Sequence, residues 1–217
     1  LIVLVTINAV NFIDGLDGLA AGIVAIAGAA FFTFAYLLAV VWGFSRAGAP
    51  SLMTAVLIGI CLGFLPHNFH PARIFMGDSG SMFLGLLLAS AAITLTGQVD
   101  PNAITAVKVG PTLLPLLLPF AVLAIPLADL VLAIARRLRA GRSPFAPDKD
   151  HLHHRLLSAG NSHVRTAVIM YLWTATLAFP MTISAFAPIW VALLTAAALA
   201  TIAIIVTRSG KKDSVYV

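Results

Sequence analysis

The sequence predicts an all-α integral membrane protein, a polytopic helical bundle of about six full spans with a partial one at its N-terminal end. Two observations carry that reading. Hydrophobic residues make up 60% of the 217-residue chain and charged residues only 10%, against about 45–50% and about 25% in a soluble domain. Uncharged stretches close to the roughly 20 residues that cross a bilayer core recur along the length. A mean hydropathy of +1.02 excludes both a soluble globular domain and a disordered chain. Cys61 is the single cysteine, so neither an internal disulfide nor a cysteine metal cluster can form.

Taken in order, residues 1–13 are apolar but too short to span, and no signal-peptide pattern precedes them. They read as the end of a helix that begins earlier, so the chain is expected to be the C-terminal part of a longer one. Full spans are expected at about 19–42, 47–66, 79–99 and 109–135. Pro115, Pro119 and Pro126 in the last of these predict kinks. The 42 uncharged residues 166–207 are about twice too long for one crossing. Pro188 divides them into spans at 166–187 and 189–207. The whole chain, 1–217, is then one transmembrane catalytic domain.

Alternating these spans places eleven of the thirteen Lys and Arg residues on one side, leaving Arg46 and Lys108 on the other. By the positive-inside rule the richer side is cytoplasmic. Seven of the thirteen fall between Arg136 and Arg165. The pI of 9.9 therefore reflects topology and lipid headgroups rather than a nucleic acid, and no nucleic-acid partner is expected. All six histidines and the clustered aspartates lie on the same cytoplasmic side. The chemistry is expected there.

Three polar groups stand out. In the first, Asn8, Asn11, Asp14 and Asp17 recur at three-residue steps, which would put neighbours on one helical face. Unpaired amides and carboxylates are costly inside an apolar helix. A helix end with Asp17 capping the next span, and Gly15 and Gly18 as turn residues, is the plainer alternative. The second runs from Asn68 through His70, Arg73 and Phe75 to Gly77, Asp78, Ser79, Gly80 and Ser81. A glycine-rich turn entering a helix offers free N–H groups to phosphate. A carboxylate there needs a divalent cation between it and the phosphate, and Mg²⁺ suits that role. Asp78 as a simple helix cap and Arg73 as a snorkelling charge form the alternative.

The third group contains Arg136, Arg137, Arg139 and Arg142, then His151, His153, His154 and Arg155. Imidazoles beside an arginine at a membrane surface suit a phosphate or diphosphate better than zinc, which would need a further spaced ligand. A histidine-rich helix start without chemistry is the alternative. His67, His163 and Asp100 read as interfacial residues. Asp129, about seven residues before the arginine cluster, would face the bundle interior or snorkel toward Arg136. A transporter would also be polytopic, but its polar residues usually gather near the bilayer midplane between repeats. Neither feature is seen in the sequence.

Together these segments resemble the polyprenyl-phosphate N-acetylhexosamine-1-phosphate transferases, glycosyltransferase family 4. The family's Asn-x-x-Asn-x-x-Asp-Gly-x-Asp-Gly-Leu-Ala motif is matched from Asn8 to Ala20. Its Phe-Met-Gly-Asp-Ser-Gly-Ser block is matched from Phe75 to Ser81, with Asn68 ten residues before Asp78. His151, His153, His154 and Arg155 match its histidine motif. The resemblance implies transfer of a sugar 1-phosphate from a UDP-sugar to a membrane polyprenyl phosphate, releasing UMP and initiating a cell-envelope polysaccharide. It implies Mg²⁺, with Mn²⁺ as a substitute, and leaves room for a homodimer. Asp78 would be the metal ligand, helped by Asn11. Asp14, His153 and His154 would be catalytic. Asp17, Asn68 and Phe75 would line the uridine pocket, and His151 and Arg155 would help bind the diphosphate.

The His-x-His-His spacing and the Pro126–Asp129 pair resemble the bacterial branch that uses UDP-GlcNAc with undecaprenyl or decaprenyl phosphate. The branch acting on UDP-MurNAc-pentapeptide is the alternative. An adjacent pair of aspartates that the family carries on an earlier cytoplasmic loop has no counterpart in this sequence. The implied location is the plasma membrane, multi-pass, with the site on the cytoplasmic face.

Overall fold

The computed structural model describes residues 1–43, 47–97 and 152–209, with isolated positions between 117 and 143. All regular structure among the described residues is helical. Helix α1 covers Ile2–Ile13, α2 Leu19–Trp42, α3 Gly48–Asn68 and α4 Gly77–Gly97. A short α5, Leu152–Ser158, precedes α6, His163–Ile183, and α7, Ile189–Ser209. Five of these (α2, α3, α4, α6 and α7) are long and apolar enough to cross a membrane. The sixth expected span, 109–135, falls largely outside the described residues, as do Asp100, Asp129, Arg136 and His151.

Helix ends explain where the boundaries differ from expectation. Ser162 accepts the Arg165 N–H through its hydroxyl, a side-chain N-cap that starts α6 at His163 instead of 166. Pro188 alone does not make the break between the last two spans. Residues 184–188 form successive turns between α6 and α7. Pro66 lies within the last turn of α3, so the helix carries Asn68 beyond the expected end at 66.

The packing centres on α2, which lies against α3 and α6. Phe31, Phe34, Ala27 and Ala30 of α2 are fully buried with Leu57, Leu88 and Ala178 in one core cluster. The face Ser81, Leu84, Leu88, Ala92 and Leu95 of α4 is buried at helical spacing. It meets Thr6, Ala9, Val10 and Ile13 of α1. Gly85 permits this close seam, since a Cβ there would stand 2.8 Å from the Ile7 Cα. Helix α7 packs on α6 and leaves Ile189, Leu193, Leu194 and Ile205 exposed, as a lipid-facing helix does.

Candidate active site

The C-terminal ends of α1 and α3 and the N-terminal ends of α2, α4 and α6 gather at one end of the bundle. Helix α1 stops at Ile13, because Asp14 takes the C-cap position and the Gly15 and Gly18 turn follows. Gly18 has φ 75°, in the left-handed region that favours glycine. The three-residue polar stripe therefore does not continue along one helical face. Asn8 is exposed, and its amide donates to the Leu4 carbonyl of its own helix at 2.7 Å. Asn11, Asp14 and Asp17 reach the site from a helix end and a turn.

Asn11 bridges α1 to α4. Its Oδ1 accepts the Ser81 hydroxyl at 2.7 Å, and Ser81 is fully buried. Asp78 lies in the first turn of α4, exposed, after Gly77 at φ 68°. Asp14 is half-buried and near enough to Asp78 to feel its charge. Burial first, and the Asp78 carboxylate second, push the Asp14 carboxyl up to about 6. Two like charges, one in the first turn of α4 and the other, partly desolvated, at the C-cap of α1, form a site that a divalent cation would relieve. Among the described residues no group of three or more histidine, cysteine or acidic side chains surrounds a point. A cation held by Asp78 beside Asp14 would take its remaining ligands from water and phosphate, as is usual for Mg²⁺.

A second lacing joins the 14–18 turn to the loop after α3. Asn68 is 3% exposed. Its Oδ1 accepts the Gly18 N–H at 3.0 Å, and its Nδ2 donates to the Ile74 carbonyl at 3.0 Å. In return, Asp17 Oδ2 accepts from His70 Nδ1 at 2.8 Å and from the Ala72 N–H at 3.1 Å. Asp17 is therefore not the N-cap of α2. Gly18 occupies that position without a side-chain cap. Burial alone would raise the Asp17 carboxyl, but the bonds from His70 and Ala72 and the His70 and His163 charges hold it below the usual carboxylate range. The His70–Pro71 peptide is cis, and the His67 carbonyl accepts both the Arg73 and Ile74 N–H groups.

These bonds present Phe75 at the surface, 76% exposed. Phe75 also borders an apolar cleft of roughly 220 Å³ between α3 and α4, with Cys61, Phe64, Met76 and Phe83 among its lining. From the opposite flank, Tyr171 of α6 donates its hydroxyl to the Gly18 carbonyl. Its ring occupies the space that a Cβ at Gly22 would need.

Helix α5 docks at this same end. Leu152, Leu156 and Leu157 pack against the cluster formed by Ile13, Leu16, Leu19, Ile23, Ala167 and Met170. The helix that carries His153, His154 and exposed Arg155 is thus anchored beside the acidic turn. Two residues take places here that sequence reasoning did not assign to them. His70 bonds Asp17, and His163, read as interfacial, stacks on His70 with ring centroids 4.5 Å apart and planes 12° apart. Nothing in the sequence marked this pair, because its members lie 93 positions apart and meet only through the fold.

Comparison with known proteins bears on the same residues. Residues 1–96, which contain both acidic motifs and Asn68, match Glycosyl transferase family 4. Over 181 residues the chain is 53% identical to the decaprenyl-phosphate N-acetylglucosaminephosphotransferase of Mycobacterium tuberculosis, covering 83% of this chain and 45% of that protein. Identity is 38% over 193 residues to a probable undecaprenyl-phosphate N-acetylglucosaminyl 1-phosphate transferase of Bacillus subtilis, covering 86% and 47%. It is 35% over 176 residues to the phospho-N-acetylmuramoyl-pentapeptide-transferase of Desulforudis audaxviator, covering 81% and 45%. The chain spans about half the length of these curated relatives.

Proposed function

We propose that this multi-pass membrane chain, whose residues 1–96 match glycosyl transferase family 4, is part of a protein of that family that transfers GlcNAc-1-phosphate from UDP-GlcNAc to a polyprenyl phosphate. The products are polyprenyl diphosphate-GlcNAc and UMP, formed at the cytoplasmic face of the plasma membrane. The observation that carries the reading is the meeting of Asn11, Asp14, Asp17, Asn68, Asp78 and Ser81 at one end of the bundle. The relatives named for decaprenyl and undecaprenyl phosphate and for N-acetylglucosamine support the substrates.

In the reaction an oxygen of the polyprenyl phosphate attacks the sugar-bearing phosphorus of the donor. The bond from that phosphorus to the bridging oxygen breaks, and UMP leaves. Asp78, with Asn11, would hold Mg²⁺ or Mn²⁺. The ion would neutralise charge on the diphosphate when bound. Asp14, half-buried beside Asp78, would take the proton of the acceptor phosphate. His153, His154 and Arg155, with His151, would steady the donor diphosphate. Asn68, with both ends of its amide engaged, would act by holding the 14–18 turn and the Phe75 loop together. A copy-to-copy contact forming a homodimer belongs to this proposal without a structural element assigned to it.

The test is release of UMP and transfer of labelled GlcNAc-1-phosphate from UDP-GlcNAc into a polyprenyl phosphate extract by the full-length protein. UDP-MurNAc-pentapeptide serves as the second donor. Transfer from UDP-GlcNAc alone supports the reading. Transfer from UDP-MurNAc-pentapeptide alone assigns the protein to the other branch, and no transfer from either sinks the proposal.

A further inference from the structure

The acidic turn between α1 and α2 carries two carboxylates with different surroundings. Asp14 faces Asp78 and shares its excess of negative charge. Asp17 is turned the other way, into the loop after α3, where one of its oxygens accepts two donors. His70 is the only side chain on that oxygen among the described residues. A ring nitrogen that donates to a carboxylate fixes the imidazole tautomer and the carboxylate's rotation together.

The His70 ring is itself held. It lies flat against the ring of His163, at the first position of α6. Asp17 remains 22% exposed, and no bond to its Oδ1 is found among the described residues. A carboxylate oxygen fixed in this way repels phosphate and accepts an N–H or O–H. The parts of a nucleoside diphosphate sugar that offer such donors are the base imide and the ribose hydroxyls. Two residues after Ala72, the Ile74 carbonyl is tied by Asn68, and the aromatic face of Phe75 follows immediately. The loop that holds Asp17 through His70 and Ala72 therefore also carries an exposed aromatic ring three residues beyond Ala72.

We propose that His70 is a positioning residue that orients Asp17 toward the nucleoside half of the donor, with His163 bracing His70 from α6. This rests on the transfer reaction proposed above. The arrangement separates two duties within one turn. Asp14 and Asp78 deal with the phosphates, and Asp17, aimed by His70, reads the nucleoside. Helix α6 reaches the acidic turn through Tyr171 and the loop after α3 through His163, so the brace also links nucleoside recognition to the helix next to the histidine-bearing α5.

The experiment uses the full-length protein and three variants. His70→Phe keeps a ring to stack on His163 but removes the donor to Asp17. His70→Asn restores a donor at nearly the same place, and His163→Leu removes the brace. UDP binding is measured directly by titration, and KM is measured separately for the nucleotide sugar and for polyprenyl phosphate, with thermal unfolding in detergent recorded for each. We expect His70→Phe to weaken UDP binding and raise the nucleotide-sugar KM about tenfold, with lipid KM and melting temperature unchanged. His70→Asn should recover most of that loss, and His163→Leu should show a smaller loss of the same kind.

An unchanged UDP affinity in His70→Phe, an equal rise in both KM values, or a loss that tracks the melting temperature would overturn the assignment. So would absence of UDP binding by the unaltered protein. If that protein binds UDP and His70→Phe weakens binding, yet neither donor is turned over, the positioning role stands and the proposed reaction fails.

Discussion

At the residue scale, Asp14 decides how the site responds to pH. Its carboxyl is raised to about 6, by burial first and by Asp78 second. The folded pKa lies above the unfolded value, so the neutral form is the one the metal-free fold favours. Its contribution to stability is full below the unfolded pKa and is lost as pH rises through about 6. A divalent cation reverses that preference by pairing with the ionised form, so it must displace a proton below about pH 6. Mg²⁺ should therefore raise the melting temperature more at pH 7 than at pH 5, and its apparent affinity should weaken by up to about tenfold per unit below 6. A Mg²⁺ effect independent of pH across that window would detach Asp14 from the cation. Asp78→Asn keeps the shape of the helix start while removing the charge. Turnover should drop by about 10²–10³-fold, and the acid limb of the pH profile should move to lower pH because the smaller of the two causes is gone. Near-normal turnover at ordinary Mg²⁺ would leave Asp78 a mere helix-start residue. The residue types at 14, 17 and 78 were legible in the sequence. The family resemblance already set Asp17 apart from Asp14 and Asp78, but the bonds that hold Asp17 were not legible, because they join it to His70 and Ala72 across more than fifty positions.

At the element scale, the site depends on how closely α1 and α4 approach. Gly85 sits one turn beyond Ser81 on the buried face of α4 and meets the α1 backbone at Thr6 and Ile7. A Cβ at 2.8 Å from a backbone atom cannot be relieved by a side-chain rotation, so Gly85→Ala must push the two helices apart. That displacement is transmitted along rigid helices to the Asn11–Ser81 bond and to the Asp14–Asp78 spacing. Overpacking of this kind costs about 1–3 kcal/mol, and a shift of about 1 Å between reacting groups costs about 10²-fold in rate. Gly85→Ala should therefore lose activity well beyond its loss of stability, whereas Gly63→Ala, in α3 with open space around it, should lose little of either. Equal behaviour of the two variants would remove the seam from the argument. A different joint closes the other flank. The Arg165 guanidinium of α6 donates to the Val206 carbonyl at 2.8 Å and to the Ser209 hydroxyl at 2.6 Å, placing a cation at the C-terminal end of α7. The helices themselves were readable from uncharged length, but neither joint was. A glycine within an apolar run carries no mark of the backbone it will touch, and one arginine near a membrane surface looks like any topology signal.

At the scale of the whole molecule, hydropathy fixed the number and order of the described spans because the bilayer core requires backbone bonds to be satisfied within each segment. It was weaker at their ends, where local caps decide. Ser162 opens α6 three residues early, and the turns 184–188 separate α6 from α7 more widely than Pro188 alone implied. What sequence reasoning could offer for the site was its side of the membrane, from eleven basic residues against two. The fold makes that side testable, because α6 must begin at one face and end at the other. Its first residue, His163, stacks on His70 at the acidic end, and its last turn leads to Ala185, Phe186 and Ala187. Two single-cysteine versions of the full-length protein, each with buried Cys61 and any cysteine outside these 217 residues replaced by serine, distinguish the faces. Ala159→Cys lies in the exposed turn between α5 and α6, and Ala187→Cys in the turn between α6 and α7. In intact cells a membrane-impermeant maleimide should label Ala187→Cys alone, and Ala159→Cys should react only after the cytoplasmic face is opened. The reverse pattern would put the acidic turn outside, away from a cytoplasmic pool of nucleotide sugar, and would remove the proposed donor from reach of Asp14, Asp17 and Asp78.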